Sequence, residues 1–86
     1  MNYKQIMIEK LLKGEIAINI GSRVENNIFL NWCKENNINI SNNLTNWNTY
    51  KENTCYQIEN FNLYYNNINY FTFDNPKLTI TLDQII

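Results

Sequence analysis

Histidine is absent from the 86 residues, and Cys33 and Cys55 are the only cysteines. Without an imidazole, the general base that works nearest neutral pH is missing, and Ser-His-Asp or Cys-His nucleophile arrangements cannot be built. Two thiols with no His and no Cys-x-x-Cys pair fall short of the four ligands of a zinc site. Carboxylate-only metal hydrolysis needs two or three acids converging, whereas the glutamates are scattered singly, Asp74 falls in a turn and Asp83 follows the last expected strand. Gly14 and Gly21 are too few and too far apart for a phosphate-cradling loop. These exclusions predict a protein that is not an enzyme, uses no metal or cofactor, and acts by binding.

The residues suited to binding are aromatic. Trp47, Tyr50, Tyr56, Tyr64, Tyr65, Tyr70, Phe71 and Phe73 crowd the second half of the chain. Neighbours along a strand point to opposite faces, so one of Tyr64 and Tyr65 must face away from a helix-covered core. Rigid Tyr rings beside adaptable Asn amides suit recognition. The expected contact residues are Trp47, Tyr50 and Lys51 in a loop, with Tyr64 and Tyr70 on the sheet. Against this stands the plainer reading that the rings only cover an otherwise bare sheet face. Stacking of nucleic-acid bases is disfavoured because Lys51 and Lys77 are the only cations near the rings. A reserve site is the helix start at Ser22 and Arg23, where amides, a hydroxyl and a cation could hold a ligand phosphate. The same residues read more readily as a capping box.

Seven basic and eight acidic residues give a net charge of −1. That is neither the basic field of a general nucleic-acid binder nor the dense acidity of a DNA mimic. Asn occurs nineteen times and Ile thirteen, against one Ala and two Gly, as A+T-rich codons produce. The amino-terminal segment reads as neither a signal peptide nor a membrane span, so the expectation is a cytoplasmic protein with both thiols reduced and buried. A chain of this length makes one domain, residues 1–86, and buries only about 60 to 65% of its unfolded surface. A homodimer is one way to bury more.

Elements that position these residues follow from periodicity. Ile6, Met7, Lys10 and Leu11 predict a helix over Tyr3 to Lys13, stopped by Gly14. Ile16, Ile18 and Ile20 alternate with Ala17 and Asn19 as a strand with one buried face. Ser22-Arg23-Val24-Glu25 starts a second helix whose packing face is Val24, Ile28, Phe29, Trp32 and Cys33, ended by Asn36-Asn37. Ile38 to Ile40 suggests a brief strand. Ser41 to Asn53 reads as a long loop pinned by Leu44, Trp47 and Tyr50. Four strands in consecutive hairpins then follow: Thr54 to Ile58, Phe61 to Tyr65, Ile68 to Phe73 and Leu78 to Leu82. The expected fold is α+β, with two helices on one face of a mostly antiparallel sheet of four to five strands, in the order α-β-α and then a β-meander.

The segment Leu12-Lys13-Gly14-Glu15-Ile16-Ala17-Ile18-Asn19, a following helix with Phe29-Leu30, and Tyr50-Lys51-Glu52-Asn53-Thr54-Cys55-Tyr56 together resemble a pattern in small proteins of phages and prophages of low-G+C bacteria. The pattern is structural and transfers no functional residue. The resemblance implies an accessory factor that blunts host immunity in a bacterial cell. The leading expectation is an anti-CRISPR that binds a host effector protein and obstructs nucleic-acid access or complex assembly. An alternative is an oligomeric sponge that holds a nucleotide immune signal, with Arg23 or Lys51 beside aromatics. A third is a phage protein that contacts only copies of itself.

Overall fold

The computed structural model describes residues 2–40 and 47–86. Helix α1 (Tyr3–Leu12) is capped by Asn2, whose side chain accepts the Gln5 amide at 2.8 Å, and it buries Met7 and Leu11. Gly14 ends it at φ +76°. A β-carbon there would sit 2.7 Å from the Ile58 carbonyl oxygen, so both the backbone angle and the strand behind it exclude a side chain.

Strand β1 (Ile16–Ile20) leads into helix α2 (Arg23–Glu35), whose cap Ser22 accepts the Glu25 amide. The buried positions of α2 are Asn26, Phe29 and Cys33, while Val24 is 69% exposed and Ile28 is 43% exposed. Hydrophobic spacing alone expects Val24 and Ile28 to pack. Burial instead follows the 26, 29, 30, 33 stripe because Asn26 accepts a 2.6 Å hydrogen bond from the Tyr56 hydroxyl, which satisfies an amide inside the core. Asn37, at φ +60°, turns the chain out of the helix. The brief strand expected at 38–40 is a single parallel bridge, Asn39 to Asn62.

The long loop expected from Ser41 falls partly outside the described residues, as does its anchor Leu44. Its visible end is two 3-10 turns, Trp47–Thr49 and Lys51–Asn53. Strands β2 (Thr54–Glu59) and β3 (Asn62–Asn67) then form an antiparallel hairpin. β4 (Leu78–Thr81) ends one residue earlier than expected, and Leu82–Gln84 forms a last 3-10 turn.

The class is α+β, with a four-stranded, mostly antiparallel sheet in the order β3-β2-β1-β4. A plain meander does not form, because β4 pairs with β1 and runs parallel to it. The chain must therefore cross from one sheet edge to the other, and Ile68 to Lys77 make that crossing. The strand expected at Ile68 to Phe73 is instead helical, ending in a π-helical turn (Tyr70–Asp74). Asn67 begins the turn by accepting the Asn69 amide at 2.9 Å, and Asn75 N–H closes it on the Tyr70 carbonyl at 2.8 Å.

Both helices lie on one face, over Ile16, Ile18, Ile20, Tyr56, Ile58, Leu63 and Ile80. The crossing covers part of the other face, where Phe71 seals Ala17 and Cys55 in a second, smaller core. β1 is thus buried on both sides at its centre, and the single buried face read from its alternation is incomplete. Lys77 fastens the crossing by donating to the Gly14 carbonyl and to Gln57 Oε1, both at 2.8 Å.

Candidate binding surfaces

Trp47 emerges from the loop next to the end of β1. Its indole N–H donates to the Ile20 carbonyl at 3.0 Å, and its half-buried ring packs on the main core. Arg23, the first residue of α2, lays its guanidinium 5.9 Å from the centre of that ring and donates to Asn48 Oδ1. The loop and the helix start, nominated separately from sequence, therefore meet. Between them lies a cleft of about 140 Å³ lined by Arg23, Asn26, Asn27, Leu30, Trp47 and Asn48. Ser22 does not join it. Its hydroxyl accepts the Glu25 amide and donates to the Glu25 carboxylate, both at 3.2 Å, so it is occupied as a cap.

The other nominated residues divide between the two faces. Tyr50 is half-buried, 6.0 Å from Tyr65, which continues through Tyr56 to Phe29 as a line of rings running into the core. Lys51 is exposed at φ +52°. Asn19 holds this stretch down by donating to the carbonyls of Glu52 and Thr54, each at 3.0 Å. Tyr64 stands on the opposite face, paired with Gln57 across the hairpin and 48% exposed. Tyr70 is half-buried, edge-on to Phe71 with ring centres 5.0 Å apart.

The expected contact residues did not include the two most exposed phenylalanines, Phe61 and Phe73, which are 61% and 75% exposed. Phe61 occupies the hairpin tip with Asn60, and both have positive φ, +52° for Asn60 and +62° for Phe61. Asn tolerates that region, but a β-carbon there costs about 1–2 kcal/mol. Glu9 and Leu12 of α1, with the residue that caps its end, Lys13, border a shallow depression beside the ring. The signal for this placement was the six-residue length of each strand, which leaves only Asn60 and Phe61 for the turn. An assumed turn at Glu59-Asn60 hid it.

Burial pushes the Cys33 thiol up to about 12, and the Cys55 thiol up to about 11 against the opposing pull of the Asn19 amide. Tyr56 is raised to about 12, first by burial. Both thiols are protonated and unreactive at neutral pH. They also lie in different cores on opposite faces of the sheet, Cys33 under α2 and Cys55 under Phe71, which separates them as disulfide partners. Among the described residues, no group of three or more His, Cys, Asp or Glu could hold a metal ion, and no helix is long and apolar enough to cross a membrane. Comparison with known proteins matches no family model, no curated protein and no solved structure.

Proposed function

We propose that this chain is a binding protein that works by occupancy, and that it serves as a phage-encoded inhibitor of a bacterial defence protein, of the anti-CRISPR kind. The observation that carries the binding reading is the hairpin tip. A large ring at Phe61 is held 61% exposed in a backbone region that glycine would occupy at lower cost. Strain kept for an exposed ring is accounted for when the ring contacts something outside the chain. Tyr64, 48% exposed on the opposite face of the same hairpin, offers a second ring. Rigid aromatics of this kind dominate binding energy at protein interfaces. The anti-defence role rests on the likeness to small phage proteins in the segments around Gly14, Phe29 and Cys55.

The test is a reconstituted target-cleavage assay with a panel of CRISPR effector complexes from low-G+C bacteria, with and without the protein. Inhibition of one effector, lost in Phe61→Ala and Tyr64→Ala variants of unchanged melting temperature, is the expected result. No inhibition across the panel, and no capture of any defence protein from host lysate, would reject the role. Inhibition untouched by either substitution would reject the surface.

A further inference from the structure

We propose that the cleft between the first turns of α2 and the Trp47–Thr49 turn binds the phosphate group of a small organic molecule. Among the described residues that line it, the polar side chains are three amides, the Trp47 indole and the guanidinium of Arg23, and none is a carboxylate. The decisive group is Asn26. It is only 5% exposed, and its Oδ1 is occupied by the Tyr56 hydroxyl at 2.6 Å. Its amide nitrogen donates to no described residue. Among the described residues, no sealed side-chain nitrogen or oxygen lacks a partner, and Asn26 lines the cleft, which is where its amide nitrogen is placed in this proposal. A buried amide pinned at its oxygen presents the N–H₂ as a fixed donor on the cleft floor.

Arg23 is also held in place. Its guanidinium lies over the Trp47 ring and donates to Asn48 Oδ1, so less side-chain freedom is lost when an anion arrives. Both residues belong to the opening turns of α2, where the helix dipole favours negative charge. A guanidinium fork and three amides offer more donors than the two oxygens of a carboxylate can satisfy, whereas the three free oxygens of a phosphate can take them up. The volume of about 140 Å³ is four to five times the roughly 30 Å³ that a water occupies in the liquid, enough for a phosphate and a carbon or two. The rest of such a molecule lies outside.

This site shares no residue with the hairpin rings Phe61 and Tyr64, so either assignment can fail alone. The test is an amide-detected NMR titration of the full chain with methyl phosphate, at low salt and about pH 7.5, where the ester carries close to two charges. A parallel titration uses acetate. Expected are saturable shifts of the Trp47 indole N–H and the Asn26 side-chain amide that fit one dissociation constant. Arg23→Gln, at an exposed position, should weaken it by about tenfold or more. Asn26→Asp keeps an acceptor for Tyr56 but replaces the donor with a negative oxygen, and should abolish saturation. Shifts that stay linear with concentration, an unchanged constant in Arg23→Gln, or acetate binding as tightly as methyl phosphate would each overturn the proposal. If Asn26→Asp does not fold, Arg23→Gln decides.

Discussion

Raising the pH should unfold this protein through its two cysteines. In the unfolded chain a thiol ionises near 9, whereas burial holds Cys33 near 12 and Cys55 near 11. Below pH 9 both states keep both protons, and the contribution to stability is constant. Above it the unfolded chain releases protons that the folded chain retains, so stability falls as pH rises. Each such proton costs about 1.4 kcal/mol per pH unit, and two together about 2.7 kcal/mol per unit between about pH 9 and 11. Tyr56, raised from 10 to about 12, adds to the slope above pH 10. A domain of this size has only roughly 5 kcal/mol to lose, so cooperative unfolding is expected near about pH 11. Urea titrations followed by far-ultraviolet circular dichroism at intervals from neutral pH upward measure the slope. The double variant Cys33→Ala, Cys55→Ala should start less stable, because two small cavities replace sulfur, yet lose stability more slowly above pH 9. A double variant with the same alkaline slope as the parent would refute the assignment to the thiols.

Two further outcomes follow from the cores on either side of the sheet. Tyr56→Phe leaves the carbonyl of Asn26 buried without its donor and should cost about 1–3 kcal/mol, read as a fall in urea midpoint at unchanged slope. Phe71→Ala empties the smaller core and should cost about 3 kcal/mol, the low end for a buried Phe. It should also speed the reaction of Cys55 with a thiol-specific disulfide reagent well before Cys33 reacts. Equal rates for the two thiols would show that the crossing opens only when the whole domain does.

Several elements were legible because local chemistry specifies them. Ser22, Gly14 and Asn37 mark helix ends by a side-chain cap and left-handed backbone, and the structure places all three in those roles, with Asn2 added as the cap of α1. The β2–β3 hairpin was legible to within two residues, although the slip at its turn concealed Phe61. The segment Ile68 to Phe73 was not legible. Alternating polar and apolar residues fit a strand, but whether a partner edge is available is decided elsewhere in the chain. Here Asn39 already bridges the β3 edge, through its amide on the Phe61 carbonyl and its own carbonyl on Leu63 N–H. The chain instead leaves β3 through an Asn-initiated turn.

The candidate sites divide along the same line. Residue types alone settled that no imidazole chemistry can occur in this chain, because that statement needs no geometry. They also marked Trp47 and Arg23 as separate points of interest. Only the tertiary structure brought those two together over Asn26, and only it turned Asn26 from a surface residue on a helix into a buried amide held at its oxygen by Tyr56. The physical reason is that caps and turns are satisfied by neighbours within a few residues. A cleft is made by groups 20 to 30 positions apart, as Arg23, Trp47, Asn26 and Tyr56 are here, and their meeting depends on how the sheet orders its strands.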